Sequence, residues 1–171
     1  MKRIVLIRHA KSSWSDPDIA DVDRPLNQRG RLCAPLMAAW LREHNLIPDH
    51  IWISPAKRSM ETWAAMKPLF AEVPEPQTEK ALYMADPKTA LAVIGTTPTA
   101  AETLFLIGHQ PGIGSLARKL STSKVGESQR RAFTKYPTAG TAIFECDAGE
   151  WAEVEFGKNH FKHFAAPKDL V

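Results

Sequence analysis

The sequence predicts a three-layer α/β/α sandwich around a mostly parallel central sheet, and three observations carry that reading. Three short apolar runs, Ile4 to Ile7, Ile51 to Ile53 and Leu104 to Ile107, are rich in β-branched and aromatic residues, and each is followed at once by turn or polar residues. Runs of this kind read as strands buried on both faces of a parallel sheet. Helical stretches lie between them, so strand and helix alternate, which is the order of an α/β fold. The chain has 171 residues, 44% hydrophobic and 24% charged, close to an ordinary globular composition. It is therefore read as one domain over residues 1–171, and disordered and fibrous classes are excluded.

The first helix is expected from Asn27 to about His44, with Leu32, Leu36, Trp40 and Leu41 on its apolar stripe. Gly30 and Pro35 fall inside it, and Pro35 removes one backbone donor and should kink or restart the turn. After Ile53, Ser54 reads as an N-cap and Pro55 as the first helical residue of a helix reaching about Ala71. Further helices are expected from Pro87 to about Ile94 and from Pro111 to about Leu120, with a polar loop from Ser121 to Arg131. Two alternating segments, Thr141 to Cys146 and Trp151 to Phe156, joined through Asp147-Ala148-Gly149, read as an antiparallel hairpin. Trp40, Trp52 and Trp63 are expected in or near the core.

Lys and Arg number 22 against 19 Asp and Glu, a net charge of +3. That excess is too mild to indicate a nucleic-acid partner and equally suits an anionic substrate. Cys33 and Cys146 lie far apart without a CxxC pattern, so they read as buried thiols rather than a disulfide framework or zinc ribbon. The run Ile4 to Ile7 stops at Arg8, far short of a signal-peptide core or a membrane span. A cytoplasmic protein, monomeric by default, is the expectation.

Ligands of open α/β sheets bind beyond the carboxyl ends of the strands, so the residues just after each run carry the functional signal. The first run ends in Arg8-His9-Ala10-Lys11, the second leads to Arg58 in the next helix, and the third ends in Gly108-His109-Gln110-Pro111. Each residue alone has an ordinary structural reading, as a solvated arginine or a hydrogen-bonded histidine. Two histidines and two arginines on one sheet edge point instead to an oxyanion site with a nitrogen nucleophile. The guanidinium fork can hold two phosphoryl oxygens, and imidazole can attack phosphorus near neutral pH.

Rival phosphate chemistries lack their motifs. No P-loop lysine signature is present, and neither cysteine has an arginine six residues downstream. The acid pairs Asp16/Asp18 and Asp21/Asp23 follow no apolar strand and read as a solvated loop. Gly112 to Ala117 mimics a dinucleotide fingerprint, but His109 to Pro111 intervene and no suitable acid follows. His160 and His163 make a weak metal signal without cysteine partners, so neither metal nor cofactor is expected.

Taken together, Arg8-His9-Ala10-Lys11, the segment Ser54 to Thr62 containing Arg58, and Gly108-His109-Gln110-Pro111 resemble the histidine phosphatase superfamily, which is also called phosphoglycerate mutase-like. The opening through Trp14, Asp23 to Asn27 with Gly30, Pro137-Thr138 and Pro167 to Leu170 resemble its small SixA-type phosphohistidine phosphatase branch. The resemblance runs from about Arg3 to Leu170. It implies the phosphoglycerate mutase-like fold, with His9 as nucleophile, Arg8 and Arg58 clamping the phosphoryl oxygens and His109 donating to them. Arg24 is a candidate phosphate contact, set against a structural salt bridge. No metal or cofactor is required.

Superfamily members that act on phosphate monoesters carry an acidic proton donor after the second helix, and here the candidates are Glu75 and Glu79, neither in a diagnostic motif. A phosphoramidate leaves as an imidazole that can already be protonated, so it needs such an acid less. The chain is also short for a mutase with lid insertions. The leading expectation is hydrolysis of phosphohistidine on a partner protein. The alternatives are a phosphomonoesterase acting on a small phosphorylated substrate and a non-catalytic phosphoprotein-binding module. Selectivity is expected to reside in loops such as Ser12 to Asp23 and Ser121 to Lys135.

Overall fold

A computed structural model of the chain describes residues 1–122, 126 and 132–171. Six strands, β1 (Lys2–Arg8), β2 (His50–Ile53), β3 (Gln77–Thr78), β4 (Thr103–Gly108), β5 (Thr141–Cys146) and β6 (His160–Ala165), form one sheet in the order β3-β2-β4-β1-β5-β6. β1, β4, β2 and β3 pair in parallel, and β5 and β6 continue the sheet antiparallel. The expected fold class is thus observed.

Alternation along the strands divides the core. Ile4 and Leu6 of β1, with Leu104 and Leu106 of β4, face α3 (Pro87–Gly95) and α4 (Gly112–Leu120). Val5, Ile7, Phe105 and Ile107 point the other way, onto α1 (Gln28–Glu43) and α2 (Lys57–Met66). Strands filled on both sides explain why the runs are continuously apolar instead of alternating.

The chain leaves β1 through α1 on one face and leaves β4 through α4 on the other, so the switch in winding direction falls between these two neighbouring strands. A crevice at the carboxyl ends of β1 and β4 is the expected consequence. Their register sets Arg8 opposite Gly108, so His9 and His109 leave the sheet side by side. Ile53 of β2 pairs with Ile107, which brings Ser54 to the same edge.

Several expectations are corrected. The apolar stripe of α1 is Ala34, Met37, Ala38 and Leu41 with Gly30, whereas Leu32 is 66% exposed and Leu36 also faces solvent. Small residues at three of these positions let the helix lie close to the sheet, and that close approach decides which face turns inward. The helix runs unbroken through Pro35, since one missing donor is outweighed by the buried turns around it. Helix α2 begins at Lys57, not Pro55, and Ser54 accepts from the Ala56 N–H without capping the helix. The partner of β5 is His160–Ala165, not Trp151 to Phe156. Trp151 and Val154 are buried three residues apart around a 3₁₀ turn, a helical rather than a strand spacing, and the Trp151 indole donates to Ala101 O. Cys146 is buried, which pushes its thiol up to about 12, but Cys33 is only half-buried. Trp63 is buried, while Trp40 and Trp52 pack half-buried against the core. The polar loop expected from Ser121 to Arg131 lies, apart from residues 121, 122 and 126, outside the described residues.

Gly30 fixes where α1 meets the segment leaving β1. A Cβ there would stand 2.2 Å from Lys11 O, a backbone atom with little freedom to yield. Gly30→Ala is therefore expected to cost about 2 kcal/mol of stability, in the range of overpacked sites. Urea denaturation of the variant tests this, and an unchanged midpoint would contradict it.

Candidate active site

His9 follows β1 directly and is only 6% exposed. Its Nδ1 lies 2.7 Å from Ala10 O. A carbonyl can only accept, so Nδ1 carries the proton and Nε2 holds the free lone pair. Burial pushes the imidazole down to about 3, with His109, Arg58 and Arg8 adding in the same direction and the Ala10 carbonyl opposing. His9 is accordingly a neutral base with a directed nitrogen at ordinary pH.

His109 stands across from it, 5.3 Å between ring centroids, and is 4% exposed. Arg58 Nη2 lies 3.3 Å from its Nδ1 and must be the donor, because a guanidinium has no acceptor. The Nε2 proton then goes to Ser54 Oγ at 2.7 Å. Burial, followed by the charge of Arg58, lowers His109 to about 4, while Asp21 opposes.

Arg58 sits in the first turn of α2 with 2% exposure, held there as Thr62 Oγ1 bonds its carbonyl. Arg8 donates through Nη1 to Tyr136 O at 3.0 Å, and burial, then Arg58, lowers its pKa. The Nε atoms of both arginines are buried without a partner. Two guanidinium groups with unmet donors and two neutral imidazoles form a site built for an anion with several oxygens.

Asp21 is the carboxylate at this cluster. Its Oδ2 pairs with Arg58 Nη2 at 3.0 Å, its carbonyl accepts from Arg58 Nη1 at 2.7 Å, and Oδ1 pairs with Arg24 Nε at 3.0 Å. The Tyr83 hydroxyl also donates to Oδ2. These bonds, Tyr83 foremost, then Arg24 and Arg58, hold the carboxyl well below the usual range against the opposing effect of burial, although its side chain is 45% exposed. The Tyr83 ring stands edge-on to His109 at 5.4 Å.

The model of the histidine phosphatase superfamily, branch 1, matches residues 4–82. An uncharacterized Mycobacterium tuberculosis protein is 35% identical over 164 residues, covering 95% of this chain and 100% of that one. The chain belongs to the histidine phosphatase superfamily. Its SixA-type branch is supported by a structure named as the candidate phosphohistidine phosphatase SixA of Agrobacterium tumefaciens, with TM-score 0.78, 27% identity and coverage of 97% and 99%. The structure of protein histidine phosphatase SixA complexed with tungstate superposes with TM-score 0.81 over 99% of both chains at 19% identity, a likeness of fold.

In this histidine phosphatase, four predicted residues, Arg8, His9, Arg58 and His109, converge at one sheet edge. Arg24 is joined to Asp21, to Ser12 Oγ at 2.7 Å and to Ser13 O, with its guanidinium over the Trp14 ring. Glu75 pairs with Lys67 at the surface, and Glu79 caps the turn at Ala81, so both are engaged elsewhere. Asp21, expected in a solvated loop, was missed because its partners Arg58 and Tyr83 are distant in sequence. Ser54 had a legible signal as the first residue past β2. Among the described residues no group of three or more His, Cys, Asp or Glu could hold a metal, and no helix is long and apolar enough to cross a membrane.

Both site histidines, His9 and His109, titrate lower in the folded chain than unfolded. The unfolded chain therefore takes up these protons first as pH falls below about 6.5, and the stability they confer, complete above that value, is lost toward the folded values. Between pH 7 and pH 5 each should remove about 2 kcal/mol. Urea denaturation at the two pH values is expected to show this fall, and to show a drop about 2 kcal/mol smaller in His9→Gln; equal drops would place the titration elsewhere.

Proposed function

We propose that this phosphatase hydrolyses phosphohistidine on a partner protein through a covalent phospho-His9 intermediate. The observation that carries the reading is the His9 tautomer: a proton pinned on Nδ1 by Ala10 O leaves Nε2 free to attack, beside two arginines with unused buried donors. The likeness to SixA structures described as phosphohistidine phosphatases supports the choice of substrate class.

His9 Nε2 attacks phosphorus, and the bond from phosphorus to the substrate imidazole breaks as that imidazole leaves protonated. Water then attacks phospho-His9, releasing inorganic phosphate and restoring the free histidine. Splitting hydrolysis this way replaces one difficult displacement by two easier ones. Arg8 and Arg58 stabilise the charge on the equatorial oxygens, the main catalytic effect in phosphoryl transfer. His109 donates to the phosphoryl group once an arriving anion raises its pKa and Nδ1 gains a proton, with Ser54 retaining the proton on Nε2. Arg24 positions Asp21 and Ser12.

The phosphoryl anion competes with the Asp21 carboxylate for Arg58. Displaced from Arg58, Asp21 keeps its bonds from Tyr83 and Arg24, which hold it ionised, so it is not a ready proton donor to an alkoxide leaving group. Small phosphate esters are therefore the proper comparison substrates, and no step calls for a metal ion.

Phosphate release from a phosphohistidine-bearing protein, beside a panel of small phosphomonoesters and with a chelator present, tests the reading. His9→Ala is expected to lose activity by about 10³-fold or more with its fold retained. Arg58→Lys should lower kcat by about 10²-fold, the scale of one lost oxyanion donor. Full activity of His9→Ala would overturn the mechanism. Turnover of the small esters alone would replace the substrate class, and phosphate binding without turnover would make the chain a binding module.

A further inference from the structure

Next to the phosphate pocket lies a groove of about 190 Å³ whose lining includes Lys11, Arg29, Lys168, Pro137, Thr138 and Pro167. It adjoins the nucleophile through the backbone: Ala139, on the groove wall, donates to His9 O at 3.0 Å, and Lys11 follows His9 by two residues. Among the described residues no carboxylate lines it. Lys11, Arg29 and Lys168 are exposed and make no ion pair or side-chain hydrogen bond among the described residues. The adjacent Asp169 turns back to accept the Ala166 N–H at 2.9 Å.

The helix beside this groove makes the charge balance more unusual. Arg29 occupies the first turn of α1, which contains no acidic residue. The N-terminus of a helix carries partial positive charge and is ordinarily complemented by acids, so a basic residue there is unfavourable. Three unpaired cations gathered at a positive helix end raise the energy of the free protein and lower that of a complex with an anion.

We infer that this groove is a second anion subsite, which binds acidic residues flanking the phosphohistidine of a protein substrate. The inference rests on the phosphohistidine reading above and names what selects among such substrates. The cations stand exposed around an open groove walled by prolines, a shape suited to an extended chain; small ligands are held in enclosed, largely apolar pockets. An extended chain advances about 3.3–3.6 Å per residue, so carboxylates a few positions from the phosphorylated histidine reach the groove.

The test uses two phosphohistidine peptides, one with glutamates and one with alanines around the modified residue, and compares kcat/KM for the wild type and R29E/K168E. Wild type is expected to prefer the acidic peptide by about tenfold, the scale that a few exposed charge pairs supply. The preference should shrink in high salt, because the Debye length falls from about 10 Å at 0.1 M to about 3 Å at 1 M. R29E/K168E should bring the ratio to unity or below, and R29Q/K168Q part of the way, with unchanged Tm as the check on folding. Equal rates on the two peptides in the wild type, or a preference surviving in R29E/K168E, would overturn the subsite. A small ester with a second phosphate preferred over both peptides would also overturn it. If neither phosphopeptide is turned over, the phosphohistidine reading fails, and fluorescence anisotropy with the unphosphorylated glutamate peptide decides the subsite separately. Binding by wild type that is lost in R29E/K168E supports it, and equal binding overturns it.

Discussion

Holding two guanidinium groups, Arg58 buried and Arg8 half-buried, within electrostatic reach of each other is the constraint on which the rest of the site depends. Like charges taken out of water repel strongly, and burial and Arg58 together already pull the Arg8 pKa down. A fold tolerates this only if rigid elements hold both groups and an anion relieves them. β1 supplies Arg8 at its last residue, the first turn of α2 supplies Arg58, and Tyr136 O accepts from Arg8. Tyr136 is itself fixed by a hydroxyl bond to Leu6 O, so the arginine clamp is braced by the core of the sheet.

The same positive field explains why the two imidazoles are neutral. A cation beside a buried histidine disfavours a second positive charge, and a neutral histidine is the form that can attack phosphorus. Each ring is then assigned one tautomer by an oxygen it donates to, Ala10 O for His9 and Ser54 Oγ for His109. Both oxygens belong to residues just past a strand end, so the parallel register of β1, β4 and β2 reaches the protonation state of individual nitrogens. Asp21 supplies the counter-charge of the cluster from a partly exposed turn, where an entering anion can displace it.

Much of this was legible in the chain. Continuous apolar runs marked the buried strands, and polar residues just past them named Arg8, His9 and His109, because strand ends position side chains regardless of distant contacts. Asp21 and Tyr83 were not legible, since their place depends on where a turn and a loop fold back over α2. The α1 face was misread for a related reason: large leucines suggested the core, but the approach distance to the sheet selected Gly30, Ala34 and Ala38. Alternation from Trp151 to Phe156 likewise imitated a strand, although the Trp151 indole needed Ala101 O and took a 3₁₀ turn instead.

The basic groups of this phosphatase fall into two sets that respond differently to their surroundings. Arg58 and the His pair are buried, where salt screens little and each hydrogen bond is strong. Lys11, Arg29 and Lys168 are exposed, where attraction is weak and easily screened but acts over a wider range of approach. In the proposed reaction the labour divides: buried donors would stabilise charge developing on the phosphoryl group and so govern kcat, while exposed cations would bias which phosphorylated surface arrives and so govern KM. Ionic strength separates the two, because raising it weakens capture of a substrate and leaves chemistry on the captured phosphoryl group almost untouched.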